Sequence, residues 1–302
     1  MADFIEAEEV VRKFFPKGTT FDYEGEEYMV IDSGKPLPQK GKGEPKTDIY
    51  VCAQSEGTTK EFKISYKKKN ADFLENKMKS DRAKQIFGAN WKEIIEENTK
   101  RISDRFEETP VLFLDQRKKT EPGSMTLGWR FELFNKLQGG LSGKMENLTR
   151  DQVYEVYAGK KLEERKRNAK VNGKVIPNSG TADYILVTDE VESAQDIINR
   201  MQPIGEYIDE NPDIYFGCKA LNYRSKKKKM EGNRALSVQV DWHVEDEKLS
   251  IDIEYEKPLM RDGKQMKAAV ETCLKLLQKK DATEFDSKEL EDIPVYKKDS
   301  TE

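Results

Sequence analysis

A mixed α+β fold is predicted by three features of the sequence. Short apolar runs alternate with period two in some stretches and follow a helical period in others. Turn residues gather between these runs, as in SGKPLPQKGKGEPK over 33–46. Hydrophobic and charged residues each make up 36% of the 302 residues, which suits a core beneath a highly charged surface.

Taken in order, residues 3–15 predict a helix, with Asp3 as cap and Glu6 three positions later as in a capping box. Residues 26–32 (EEYMVID) and 47–53 (TDIYVCA) predict strands on either side of the Pro/Gly/Lys loop. Ser55-Glu56-Gly57 is a hairpin-like turn into a third strand, 59–66 (TKEFKISY). Asn70 caps an expected helix over 71–87, a second follows over 90–106, and 110–115 (PVLFLD) predicts a short buried strand. Residues 125–137 suggest a strand passing into a helix, 149–169 a helix, 182–188 a strand, 192–209 a helix and 213–222 a strand. ALNYRS, the basic turn KKKKMEGNR and ALSVQVDWHV then predict a hairpin. LSIDIEYE is a further strand and 263–279 a last helix. KKTEPGS interrupts the pattern and suggests a boundary near 120. This divides the chain into a core (1–120), an α+β region for recognition or for completing the core (121–280), and a polar tail expected to fray (281–302).

Composition narrows the chemistry. A net charge of −4 gives no global positive field, so attraction to phosphate must come from local clusters. No run approaches the roughly 20 apolar residues of a membrane span. The acidic N-terminus lacks the pattern of a signal peptide. Cys52, Cys218 and Cys273 are far apart and include no CxxC, which argues for a reducing cytoplasm over a disulfide framework. The lone His243 leaves too few histidines for zincin, HNH or histidine-base hydrolase chemistry, and no Gly-Lys pair continues into a P-loop. Catalysis, if present, must run on carboxylates, lysines and a divalent metal.

On strand 59–66, Glu61, Lys63 and Ser65 share one face, while Phe62, Ile64 and Tyr66 share the other. Glu-x-Lys alone is ordinarily a surface ion pair. Here Asp48 opens the preceding strand after Pro45-Lys46-Thr47, so Asp48 and Glu61 are expected to be neighbours in an antiparallel pair. Two carboxylates brought together call for a cation between them, and Mg²⁺ suits them, with Mn²⁺ as a substitute. Phe4, Val11 and Phe15 define the apolar face of the first helix, and Glu8 falls within it. Either that acid meets a metal or it reaches solvent at the helix margin.

The Asp after a Pro-containing loop, the Glu-x-Lys on the next strand and the helix–strand–strand–strand–helix–strand order resemble the PD-(D/E)xK nuclease superfamily, over roughly residues 3–115. The sequence departs from that pattern in one respect, since Lys46 and Thr47 separate Pro45 from Asp48. The resemblance implies a restriction-endonuclease-like core, a central mixed sheet flanked by helices. It implies one or two Mg²⁺ held by Asp48, Glu61 and the backbone carbonyl of Phe62. It also implies that Lys63 orients the attacking water or steadies the transition state, and that Glu8 matches an acid often found on the first helix.

Three basic runs are candidate DNA contacts: Lys67-Lys68-Lys69 with Asn70 beside the expected metal site, Lys160 to Lys170, and Arg224 to Arg234, including Lys226, Lys227, Lys228 and Lys229. The last is either a groove-entering tip or a solvated loop. Trp129, Tyr157, Tyr184, Tyr223 and Trp242 suit core packing better than base stacking. The leading expectation is a restriction- or defence-type endonuclease on double-stranded DNA, with a two-fold dimer for double-strand cutting. The alternatives are a repair, recombination or phage-derived nuclease, a non-catalytic DNA-binding protein on the same fold, and a protein that does not bind nucleic acid.

Overall fold

The computed structural model describes residues 2–286 and 288–298, with side chains from residue 6 onward. The expected Asp3 cap and Phe4 ridge concern side chains outside this range, as do the last four residues of the expected tail. The class is mixed α+β. The chain forms two compact units, each from two segments: residues 1–72 with 148–212, and 73–147 with 213–302. The boundary expected near 120 therefore falls inside the second unit. KKTEPGS there is a turn, closed by Arg117 N–H to Thr120 O at 3.0 Å and Thr120 N–H to Arg117 O at 2.9 Å.

The first unit begins with helix α1 (Ala2–Arg12) and strands β1 (Thr20–Tyr23), β2 (Glu26–Gly34), β3 (Ile49–Ser55) and β4 (Thr58–Lys67). These four strands form an antiparallel meander. Its tight turns place Glu24-Gly25 and Glu56-Gly57 at positive φ, the backbone that two-residue hairpins of this twist require. The second segment supplies helix α2 (Arg150–Ala158), strand β5 (Tyr184–Val187), helix α3 (Ala194–Arg200), strand β6 (Gln202–Pro203) and helix α4 (Ile204–Glu210). β5 runs parallel to β4, with Tyr184 beside Ile64 and Val187 beside Lys67, and β6 closes the edge antiparallel to β5. Among the described residues the sheet order is β1-β2-β3-β4-β5-β6.

Alternation decides the core. Ile49, Val51, Ala53, Phe62, Ile64 and Tyr66 form one face of β3–β4 and bury against Val11, Phe15, Ile197 and Ile198. Burial of so many aliphatic and aromatic side chains is what holds this unit, at about 1.5–3 kcal/mol for each one fully removed from water. α2 is bounded by a Thr149–Gln152 capping box and by Gly159 in the left-handed conformation.

In the second unit the strand Ser124–Phe134 lies between Tyr215–Arg224 and Val238–Glu245, and Lys248–Glu254 continues the sheet. Helix Gly263–Leu276 packs on it, burying Met266, Val270, Cys273 and Leu274. Several expectations change here. Residues 124–134 are strand throughout, because burial on both faces erases the alternation that distinguishes strand from helix. The expected hairpin around the basic turn is not formed, since Ser124–Phe134 separates its two arms. Phe73–Glu75 joins this sheet, with Phe73 and Phe134 rings 4.7 Å apart, so the expected 71–87 helix shrinks to Ser80–Phe87. Val295–Tyr296 pairs in parallel with Leu112–Phe113, which ties down much of the expected tail. Trp129, Tyr223 and Trp242 are core residues of this unit.

Candidate active site

The β3–β4 register determines which side chains can meet. Tyr50 pairs with Lys63 and Cys52 with Glu61. The paired register ends at Ile49–Ile64; just before it the Asp48 N–H donates to Ile64 O at 2.9 Å, and the Asp48 carboxylate meets Ser65 and Tyr66. Asp48 and Glu61 are thus four positions apart along the ladder, about 13 Å at 3.3 Å per residue. The expected neighbouring pair is not formed, and the two carboxylates do not share an ion in this arrangement. Glu61 instead accepts the Tyr50 hydroxyl at 2.6 Å. Phe62 is fully buried on the opposite face. Lys63 is 8% exposed, and its Nζ lies 2.8 Å from Asp183 Oδ2, while Lys160 Nζ holds Asp183 Oδ1 at 2.5 Å. Burial alone would raise the Asp183 carboxyl, but the Lys160 and Lys63 ammoniums outweigh it and hold it below the usual range.

A different cluster surrounds Asp48. Its Oδ2 accepts the Tyr66 N–H at 2.8 Å and the Ser65 hydroxyl at 3.4 Å. Its carboxyl is pushed up to about 6, chiefly by burial and further by the Glu8 charge, against the opposing pull of Lys67, the Tyr66 N–H and Lys35. Glu8, on α1, is held by Lys35 Nζ at 2.6 Å and by Arg12 Nη1 at 3.7 Å. The charges of Glu8, Lys35 and Lys67 thus act on the Asp48 carboxyl, while Lys35 and Arg12 neutralise Glu8 directly. Glu8, expected either to meet a metal or to reach solvent at the helix margin, is paired here with Lys35 and Arg12 and is mostly withdrawn from solvent.

Asp48 is held in place by its own chain entry. Lys46 N–H and Thr47 N–H both point at Gly180 O, at 2.8 and 3.4 Å, and the Thr47 hydroxyl donates to Thr181 O at 2.8 Å. Gly180 is required there, because a Cβ would sit 1.8 Å from Lys166 O. A chain this tightly anchored on both sides offers Asp48 little freedom to move.

The basic runs divide by partner. Lys67 belongs to the Asp48 cluster, Lys68 is half-buried, Lys69 N–H donates to Asp189 Oδ1 at 3.2 Å, and Asn70 is exposed. Lys160 serves Asp183, and Arg165 is tied to Glu163 at 2.6 Å. In the second unit Lys227 binds Glu121 at 2.7 Å and Arg224 binds Glu121 and Glu231. Lys226, Lys228 and Lys229 are exposed, and Arg234 is half-buried over the Asn233 carbonyl.

Sequence reasoning missed Lys35, Arg12 and the pairing of Ser65 with Asp48. The two-residue turn at Glu56-Gly57 carried a signal for the last, since it pairs Ser55 with Thr58 and, counting back to Ile49 with Ile64, brings Asp48 to the Ser65–Tyr66 end of β4. Among the described residues no group of three or more His, Cys, Asp or Glu side chains is placed to hold a metal, and no helix is long and apolar enough to cross a membrane. The chain matches no protein-family model, no curated protein and no solved structure.

Proposed function

We propose that this chain is a Mg²⁺-dependent nuclease of the PD-(D/E)xK kind acting on double-stranded DNA, with its site at Glu8, Asp48, Ser65 and Lys67. The observation that carries this reading is the setting of Asp48: a half-buried carboxylate at a strand start that accepts the Ser65 hydroxyl and the Tyr66 N–H, with Lys67 next along β4 and the charge of Glu8 on α1 acting on it. The sequence of elements supports it. α1, the meander β2-β3-β4, α2 and the parallel β5 are compatible with the expected helix–strand–strand–strand–helix–strand order, with β1 inserted after α1, residues 73–147 of the second unit between β4 and α2, and β5 in place of 110–115.

The donor set fits a hard cation, because Mg²⁺ is commonly held by one or two carboxylates together with waters and substrate phosphate. Glu8 and Asp48 would be those ligands. When bound, the metal would supply a water of lowered pKa and charge neutralisation at phosphorus. The chain's own groups do the rest. The Tyr66 N–H and Ser65 hydroxyl fix the Asp48 carboxylate. The Lys67 ammonium stabilises the charge that grows on the phosphoryl oxygens as a water oxygen adds to phosphorus and the P–O bond breaks. Exposed Lys226, Lys228 and Lys229 are candidates for backbone-phosphate contacts. A restriction- or defence-type role remains the preferred biological setting within this proposal.

One observation favours a second reading. Ser65 stands where an acid completes the triplet, and a site with only two carboxylates also suits a DNA-binding scaffold without catalysis. The test is incubation of plasmid and phage DNA with Mg²⁺, Mn²⁺ or EDTA, using wild type beside Asp48→Asn. Metal-dependent cutting lost in the variant supports the nuclease. Binding without cutting by either protein supports the scaffold. Neither binding nor cutting overturns both.

A further inference from the structure

One edge of the second unit's sheet is open. The strand Lys248–Glu254 pairs on one side with Val238–Glu245, and among the described residues no strand pairs with its other side. It is seven residues long, keeps register with its neighbour throughout, and contains neither proline nor glycine. Exposed edges are ordinarily shortened, bulged or interrupted, because a row of free N–H and C=O groups invites another strand. Here only charge guards the edge, in Lys248, Asp252 and Glu254. Ile251 and Ile253 are half-buried, although Trp242 and Val240, their partners on the inner strand, are buried. On the other face Asp252 lies directly opposite Asp241, and like charges so placed are unfavourable. Arg261 Nη1 offsets Asp241 at 3.4 Å, whereas Asp252 is met by the His243 ring at 3.8 Å.

The order of residues along this edge is complementary to itself. Turned antiparallel about Ile251, Lys248 faces Glu254, Leu249 faces Ile253, Ser250 faces Asp252, and Ile251 faces its own copy. Every charged residue then meets an opposite charge or a hydroxyl, and every apolar residue meets an apolar one. A slip of two residues, the smallest that keeps the faces, destroys the match. Slipped one way, Asp252 faces Asp252; slipped the other, Glu254 faces Asp246. We infer that the strand Lys248–Glu254 docks a second copy of this chain, edge to edge about a two-fold axis at Ile251, making one continuous sheet. A two-fold contact demands this kind of sequence, because residue i of one copy meets j while j meets i. Backbone groups that point away from the inner strand pair across the axis. The pairing covers Ile251 and Ile253 and gives Asp252 the Ser250 hydroxyl of the second copy. The charges that repel a foreign strand therefore select a copy. This interface belongs to the second unit alone and stands independently of the nuclease reading.

The test is sedimentation equilibrium of the full chain over a wide range of concentration, at low ionic strength where surface charges are least screened. It compares wild type, Lys248→Glu, Glu254→Lys and an equimolar mixture of the two variants. Both positions reach solvent, where such changes scarcely affect folding. Wild type should dimerise reversibly. Each variant alone should self-associate about thirty-fold more weakly, because two opposite-charge pairs across the axis become two like-charge pairs. The mixture should regain wild-type affinity, since one variant carries carboxylates at both ends of the strand and the other ammoniums. A wild type that stays monomeric at every concentration overturns the inference. A dimer whose affinity is the same in both variants is formed by another surface, and overturns it too. Weakening in both variants, each folded by circular dichroism, without recovery in the mixture overturns the antiparallel register and the inference with it.

Discussion

Asp48 Oδ2 accepts the Ser65 hydroxyl at 3.4 Å and the neighbouring Tyr66 N–H at 2.8 Å at the open end of the β3–β4 hairpin. The lysine expected to act with Asp48 is therefore Lys67 and not Lys63. Lys67→Ala should lower the single-turnover cleavage rate about 10²-fold or more at saturating Mg²⁺, the usual loss when one stabiliser of transition-state charge is removed. Lys63→Ala should leave the rate of the folded fraction within a few-fold of wild type, since its ammonium is committed to Asp183 at 2.8 Å. The reverse ranking, with both variants folded, would return the site to Glu61 and Lys63.

Much of the first unit was legible because its strands are amphipathic. Residues 47–66 show a clean alternation, so β3, the turn and β4 follow from the sequence, and Asp48 and Glu8 were reachable as candidates. The site went wrong at register. Glu-x-Lys is the more conspicuous spelling, whereas the contact of Asp48 with Ser65 emerges only when partners are counted back from the two-residue turn to Ile49–Ile64. Lys35 could not be found this way, because its meeting with Glu8 depends on a loop anchored by Leu37 to Lys170, far along the chain. The second unit was harder to read. Its central strand, Ser124–Phe134, is buried on both faces and takes partners from 215–224 and 238–245, which no local pattern announces.

Stability should fall as pH rises through the Asp48 titration. The folded carboxyl is held at about 6, above its ordinary value of 3.8, so the folded state retains a proton that the unfolded chain has lost between those values. The stability tied to this proton is fully present below about 4 and gone above about 6. Asp48→Asn should therefore be more stable than wild type at pH 7 without metal, by on the order of 2 kcal/mol after allowance for partial solvent access, and no more stable at pH 4. Urea denaturation of both proteins across that range measures it. A constant difference at all pH values would contradict this account of Asp48.

Gly180 should tolerate no side chain. Alanine would bring its Cβ to 1.8 Å from Lys166 O, so the backbone that anchors Lys46 and Thr47 has to shift. Overpacking of this kind costs about 1–3 kcal/mol. Thermal denaturation of Gly180→Ala should show the loss, and Mn²⁺ affinity should fall with it, because Asp48 is the next residue in the anchored segment. Wild-type stability in that variant would show that the 45–48 segment adapts freely.

The exposed part of the 224–234 run can be separated from its structural part. Arg224 and Lys227 are tied to Glu121, whereas Lys226, Lys228 and Lys229 face solvent. Replacing these three with alanine should weaken DNA binding and reduce the salt slope by up to about 2.7, at roughly 0.9 for each phosphate that is no longer neutralised. An unchanged slope in a fluorescence-anisotropy salt series would mean that the run does not touch DNA.

Lys63, Asp183 and Lys160 should respond unequally to substitution, and the order of their effects reveals what the group does. Asp183 has two ammonium partners, so Lys63→Met leaves it paired with Lys160 and removes a charge from a buried position. Asp183→Asn instead strands the Lys63 ammonium, which is 8% exposed, without a carboxylate. An uncompensated buried charge of this kind costs on the order of 3 kcal/mol, while replacement by an apolar chain of similar length is often nearly neutral. Urea denaturation should thus rank Asp183→Asn well below Lys63→Met in stability. Because burial is outweighed by the two ammoniums, the folded Asp183 carboxyl lies below its usual range, so its contribution is present above the unfolded value and lost as pH falls through the folded one. Wild type should lose this increment on acidification and Asp183→Asn should not. If instead Lys63→Met is the more damaging change and also abolishes cleavage in the folded protein, then Lys63 acts in the chemistry and Asp183 serves to position it.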